Sequence, residues 1–498
     1  MLYQYATLVA LVLMPNSGID ASAHKFISSD DLVHQIIFNQ TSIVTSKPIV
    51  AVQSTTSKII EQQRNNHGVR VNLVNSFPPD IMSYESRLGG GFVVHLAIYI
   101  YLCLLLAVII DSYFLPSLQY FSTVFDISPN ISGSTLMAFG TSSPEFFTTL
   151  ISVAVSDSSS IATGAIIGSS IVNTLAIPGI CGLAILFMEK RPTMSKYSRF
   201  PMVRDLLFYA ITVIIFILSI KDNVVDSLES LIFIFIYLLY IFTLYLWSNI
   251  RLSSRPRLPQ ILNVRKRHCI SLERQVLRRR SSATPSETMS FPAQPVGHMF
   301  EDNRCISYPL LPFLSLVRLT IPWPNKNFFI LTFIMCCLWI STLTYFNLWM
   351  VSLIGDSFDL PESVSGMTIL AFGTNLPELI SSYIIVRKYH QVDVAICHTI
   401  GSNIFDILIC LGLPWFLQIF TLTIKNGSEL SELGNHIIPM EHSLLYFVCL
   451  SLILPIMILS FVLYHDHWSL TPRMGFICIA FYCAFIVIVF ILRINSLI

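Results

Sequence analysis

Gly133-Ser134-Thr135-Leu136-Met137-Ala138-Phe139-Gly140-Thr141-Ser142-Ser143-Pro144-Glu145 returns later in the chain as Gly366-Met367-Thr368-Ile369-Leu370-Ala371-Phe372-Gly373-Thr374-Asn375-Leu376-Pro377-Glu378, at a constant offset of 233 residues. The same offset aligns Ile167-Gly168-Ser169-Ser170-Ile171-Val172-Asn173 with Ile400-Gly401-Ser402-Asn403-Ile404-Phe405-Asp406. Over 133–179 and 366–412 the two stretches agree at 17 of 47 positions without a gap. Self-similarity of this kind marks a duplicated structural unit. In each copy the Glu stands 28 residues before the Asn or Asp. Each unit therefore carries two polar centres in the same relative placement.

Both copies lie in strongly apolar surroundings. Of 498 residues, 54% are hydrophobic and 12% charged, with a mean hydropathy of +0.68; a soluble domain is roughly a quarter charged. This excludes a soluble enzyme, a nucleic-acid binder and a disordered scaffold. Ten apolar runs are long enough to span a bilayer: about 92–114, 131–155, 161–188, 205–220, 230–248, 327–350, 364–386, 394–424, 441–464 and 474–492. Pro414 is expected to break the eighth. Nine of the eleven cysteines, including Cys103 and Cys410, fall in or at the ends of these runs and read as small buried hydrophobes. The predicted fold is an all-α polytopic membrane protein of about ten transmembrane helices. Because the second copy begins five spans after the first, an odd number, the copies must cross the membrane in opposite directions, as two inverted-topology repeats of five.

The remaining chain divides by composition. Tyr5 to Met14 followed by Ala21-Ser22-Ala23 predicts a signal peptide over 1–23, with a short interfacial helix as the alternative. Residues 24–90 read as a poorly ordered extracellular segment carrying a glycosylation sequon at Asn39. Residues 91–248 and 327–498 are the two membrane domains. Between them, 249–326 holds thirteen Lys and Arg against four acids and is expected on the cytoplasmic side, as is the basic loop 189–204. The loops on the opposite side are acidic, and the sequon at Asn426 would face outward. Arg278-Arg279-Arg280 makes Ser281 and Ser282 candidate phosphorylation sites for a basophilic kinase, and the cluster could also rest on anionic lipid. A solvated basic linker is an equally simple reading.

Glu145 and Glu378 sit at a depth where an ionisable side chain costs several kcal/mol and needs a partner or an ion. On a helix, Thr141 and Ser142 share a face with Glu145, Thr374 shares one with Glu378, Ser169 with Asn173, and Ser402 with Asp406. Pro144 and Pro377 lack an N–H, which frees the carbonyls of Gly140 and Gly373. The donor set is all oxygen, with no Cys or His in either motif, so hard cations are implied. Glu145, Glu378 and Asp406 supply at most three negative charges, which one Ca²⁺ and one monovalent cation would neutralise. Carboxylates bonded to Ser and Thr as helix glue are the bland alternative. His398, His465 and His467 read as interfacial polar residues without chemistry.

These motifs resemble the α1 and α2 repeats of the potassium-dependent sodium/calcium exchangers, within the cation/calcium exchanger superfamily. Phe77-Pro78-Pro79-Asp80 with Glu85 and Arg87, Asp111 to Leu118, and Pro322-Trp323-Pro324 extend the resemblance over about 77–188 and 322–495. It implies a multi-pass plasma-membrane antiporter with an extracellular N-terminus, in which Na⁺ entry drives Ca²⁺, carried with K⁺, outward by alternating access. Glu145 and Glu378 would be the central Ca²⁺ ligands, helped by the backbones of Thr141 and Thr374. Ser142, Ser169 and Ser402 would belong to Na⁺ sites, Asn173 would be a polar member of the first repeat, and Asp406 would match the position tied to K⁺ coupling. Two positions depart from the usual pattern: Glu at 378 where Asp is common, and Asn at 375 where Ser is common. No cofactor is expected beyond the transported ions. A Ca²⁺/H⁺ or a potassium-independent Na⁺/Ca²⁺ antiporter is the runner-up.

Overall fold

The computed structural model describes residues 73–125, 127, 132–155, 160–187, 199–222, 224–253, 304–323, 328–389, 392–425, 438–439, 445–466 and 470–494. The signal-peptide reading, Asn39, Asn426, Ser281 and Ser282 lie outside the described residues. Apart from a two-stranded ribbon, the described chain folds into helices. Its order is α1 (Tyr84–Val124), α2 (Ala138–Thr141), α3 (Ser143–Val155), α4 (Ser160–Phe187), α5 (Arg199–Ser219), β1 (Val224–Val225), α6 (Ser227–Ser253), α7 (Arg304–Thr320), α8 (Phe329–Ser357), α9 (Glu362–Thr374), α10 (Leu376–Tyr389), α11 (Ala395–Ile424), β2 (Ile438–Pro439), α12 (Leu445–His465) and α13 (Pro472–Ile494). Strands β1 and β2 pair antiparallel, Val224 with Pro439 and Val225 with Ile438, and tie the α5–α6 turn to the segment before α12.

Eight of the described helices are long and apolar enough to cross a membrane, and nine if α9 and α10, bent by 43° at their junction, form one span. The predicted span 131–155 is the difference from ten. It is divided at Ser142 into the 13-residue α3 and a shorter piece in which a π-helical turn, Gly133–Met137, runs into α2.

Other departures have local causes. Pro414 does not break α11: a π-helical segment, Asp406–Leu411, directly precedes it and absorbs the missing N–H by widening the turn. Similar π segments occur at Ile110–Phe114, Gly133–Met137, Val172–Ala176 and Gly366–Leu370. The basic stretch 249–326 contains α7, whose Val317, with Ile321 just beyond the helix end, packs with Leu105, Leu106, Cys336 and Ile340 of α1 and α8. Trp339 Nε1 donates to Thr320 Oγ1 at 2.8 Å at the end of that helix.

Helices α1 and α8 pack along each other. Arg87, buried near the start of α1, reaches Asp356 at 2.8 Å and Asp80 at 3.6 Å, and Asp80 in turn stands 3.3 Å from His95. Glu85 is exposed. Helices α4 and α9 approach each other closely at their glycines. A Cβ at Gly164 would stand 2.3 Å from Ser363 O, and one at Gly366 2.2 Å from Ile161 O. Small residues that admit backbones to such range are a means of helix association in lipid, where hydrophobicity offers little drive between helices.

Candidate cation site

Each copy of the repeat breaks its helix at the same place. Ser142 (φ −87°, ψ 12°) and Asn375 (φ −83°, ψ 0°) occupy the bridge region between two helical pieces. Their residue types favour a helix start, and a proline two residues on, within the first turn, has no N–H to lose there. The helices resume at once: Phe146 N–H donates to Ser142 O at 3.0 Å and Leu379 N–H to Asn375 O at 2.9 Å. Glu145 and Glu378 consequently fall in the first turns of α3 and α10. The positive end of each helix dipole there favours a carboxylate. Of the two carbonyls expected to be freed, Gly140 O is taken by the Ser143 hydroxyl at 2.8 Å.

The polar contacts then join one copy to the other. Ser142 Oγ donates to Glu378 Oε1 at 3.4 Å. Ser169 Oγ lies 3.1 Å from Asn375 Oδ1 and 3.2 Å from Asp406 Oδ2, and with one proton it donates to either in turn. Asn375 holds its own orientation by donating Nδ2–H to Ala371 O at 2.6 Å. Glu145 and Glu378 are each 1% exposed and Asp406 is fully buried. Both oxygens of Glu145, Oε2 of Glu378 and both amide atoms of Asn173 are buried without a hydrogen-bond partner. Each unpaired buried polar atom costs about 1–3 kcal/mol. A cation bound among the oxygens would remove their share of that cost, so the residues present fit a cation as cargo.

Some predicted members contribute differently from expectation. The hydroxyls of Thr141 and Thr374 donate back to their own helices, to Met137 or Ala138 and to Leu370 or Ala371, and Ser402 donates to His398 O at 3.2 Å. Only the lone pairs of those oxygens remain for an ion. Among the described residues no three His, Cys, Asp or Glu side chains stand close enough to hold one metal ion by themselves. Hydroxyl, amide and backbone oxygens would have to complete any coordination shell.

Two residues of the site escaped the sequence reading. His398, read as an interfacial polar residue, places its Nε2 3.5 Å from Thr141 Oγ1, and its Nδ1 is buried without a partner. Cys410 places its Sγ 3.8 Å from Asp406 Oδ1 and from Ser142 O. Helical spacing held the signal, because His398 precedes Ser402 by one turn and Cys410 follows Asp406 by one turn. Buried Asp205 stands apart: Arg204 at 2.8 Å and the Tyr240 hydroxyl at 3.3 Å already satisfy it.

The chain is similar to known proteins over most of its length. The chain is 29% identical over 452 residues to human sodium/potassium/calcium exchanger 5, covering 82% of this chain and 85% of that protein. It is 25% identical to human sodium/potassium/calcium exchanger 3, covering 89% of this chain and 87% of that one. A solved structure of the sodium-calcium exchanger NCX_Mj, soaked with Na⁺ and Sr²⁺, aligns with a TM-score of 0.42 at 17% identity, over 79% of this chain and 97% of that one. The model of the sodium/calcium exchanger protein family matches residues 95–246 and 328–491, both membrane halves including both repeats. The chain is a multi-pass membrane protein and belongs to the sodium/calcium exchanger protein family.

Proposed function

We propose that this protein is a secondary active antiporter that exchanges Na⁺ for Ca²⁺, with K⁺ carried alongside Ca²⁺. The observation that carries this reading is the Ser169 hydroxyl set between Asn375 and Asp406, which draws the polar centres of both repeats into one buried cluster. Around it, Glu145, Glu378 and Asp406 bring a cluster of acidic oxygens that Ca²⁺ suits better than a transition metal does. Three carboxylates match the charge of one divalent and one monovalent ion, and Na⁺ would compete for the same oxygens. The names of the relatives support the ion set. Alternating access follows if the two half-helix pairs, α2–α3 and α9–α10, expose the cluster to one side at a time.

The finer assignments belong to the same proposal. Glu145, Glu378, Thr141 and Thr374 hold Ca²⁺; Ser142, Ser169, Ser402, Asn173 and Asn375 serve Na⁺; Asp406 couples K⁺. The N-terminus is extracellular and the membrane is the plasma membrane, with Asn39 and Asn426 glycosylated. The basic stretch before α7 faces the cytoplasm, where Ser281 and Ser282 meet a kinase or the arginines meet anionic lipid.

The test is Na⁺-gradient-driven uptake of radiolabelled Ca²⁺ into vesicles containing the purified protein. Uptake should need an outward Na⁺ gradient, rise with K⁺ on the Ca²⁺ side, and fall to the empty-vesicle level in Glu145→Gln and Glu378→Gln. Ca²⁺ flux driven by a pH jump without Na⁺ would replace the reading with Ca²⁺/H⁺ antiport.

A further inference from the structure

Cys410 sits in the π-helical segment Asp406–Leu411, fully buried, one turn beyond Asp406. Its Sγ is 3.8 Å from Asp406 Oδ1 on its own helix and 3.8 Å from Ser142 O in the first repeat, so it touches both copies. The π-helical segment that carries the thiol packs against α3, the helix that carries Glu145. On α3, Glu145 is 1% exposed and neither of its carboxylate oxygens has a hydrogen-bond partner. The first repeat has no counterpart, since the aligned position is Ile177.

We propose that Cys410 makes the cation site a binding site for thiophilic divalent cations, with the sulfur, an Asp406 oxygen and Ser142 O as its donors. The proposal rests on the cation-site reading above and names a further class of ligand for it. Oxygen donors alone favour hard ions, whereas a thiolate selects softer ones of the zinc and cadmium kind. Cadmium is close to calcium in size, so a cavity shaped for Ca²⁺ admits it, and sulfur then holds it more firmly than any oxygen present. On binding, the thiol proton leaves to solvent or to a neighbouring carboxylate and a metal–sulfur bond forms. No oxidation state changes. Cadmium held in this way blocks the exchanger.

The test uses Cd²⁺ as the probe. In vesicles, the Cd²⁺ concentration that halves Na⁺-driven Ca²⁺ uptake, taken relative to the apparent KM for Ca²⁺, should rise at least about tenfold in Cys410→Ser. Cys103→Ala, which removes a buried thiol bonded to Asn347 rather than to the carboxylates, should leave that ratio unchanged. On purified wild type, Cd²⁺ should raise an ultraviolet thiolate-to-metal absorption band that excess Ca²⁺ displaces. This arm needs no variant and holds even if Cys410→Ser does not fold. An unchanged ratio in a transporting Cys410→Ser, or the lack of a Ca²⁺-displaceable band in wild type, overturns the proposal. Failure of the cation-site reading would show separately, as Ca²⁺ uptake surviving Glu145→Gln and Glu378→Gln.

Discussion

In the first copy of the repeat a Cβ at Gly168 would meet Met367 O at 2.1 Å and the Ala371 methyl at 2.6 Å; at the equivalent Gly401 of the second copy the nearest atom is the Tyr240 hydroxyl, 4.0 Å away. The two copies thus keep the same glycine for different reasons, one for a backbone contact across the repeat interface and the other with room to spare. Their polar positions diverge as well. Ser142 faces Asn375 in the alignment, Asn173 faces Asp406, Ala165 faces His398, Ser170 faces Asn403 and Ile177 faces Cys410. What both share is the helix break, the Glu that follows it, the Thr before it and the Ser at 169 and 402. Duplication has kept the scaffold of the site, and the second copy carries two of its three carboxylates together with the imidazole of His398 and the thiol of Cys410.

The largest expected effect breaks this comparison at the glycines. Gly168→Ala must push aside a backbone carbonyl, which should destabilise the protein by about 3 kcal/mol or more. Gly401→Ala should stay within about 0.5 kcal/mol of wild type. Thermal unfolding of the detergent-solubilised protein reads both, and equal losses would erase the asymmetry. Next in size, Asp406→Asn gives the second copy the residue type of the first. K⁺ should then no longer stimulate Ca²⁺ uptake, while Asn173→Asp in the wild-type background should leave the stimulation in place.

Ser169→Ala acts at a hydroxyl that reaches two residues of the other copy. It leaves Asn375 Oδ1 and Asp406 Oδ2 without their donor, at a cost of about 1–3 kcal/mol, so the apparent Na⁺ affinity measured in flux assays should fall roughly tenfold. The smallest effect is expected for His398→Ala, which copies Ala165. Its imidazole meets the site through the long contact to Thr141, while the backbone carbonyl that accepts from Ser402 is kept, and the apparent KM for Ca²⁺ should move by less than about threefold, within a neutral hydrogen bond's contribution.

The duplicated motif was legible because its signal is cooperative: thirteen aligned residues, a fixed offset and an odd span count each constrain the others. Glu145, Glu378, Asp406, Ser142, Ser169 and Asn375 followed from it. Cys410 and His398 did not, since a single cysteine or histidine in an apolar run reads as core until helix rotation is known. Helix α7 was hidden by the opposite problem. Its amphipathic, proline-containing sequence adjoins a basic tract, and the span criterion ignores a helix that buries only one face. The break at Ser142 was foreshadowed by Pro144, but its cost in span length was not, because hydropathy registers composition and is blind to a change of direction.

The central claim is that oxygens from both repeats form one cation site. Equilibrium binding of radiolabelled Ca²⁺ to the purified protein tests it directly, with wild type, the two single variants Glu145→Gln and Glu378→Gln, and the double variant. One Ca²⁺ should bind per chain in wild type, each single variant should lose high-affinity binding entirely, and the double variant should be no worse than either. Two Ca²⁺ per chain in wild type, with one lost in each single variant, would mean that each repeat carries its own site and would contradict the account.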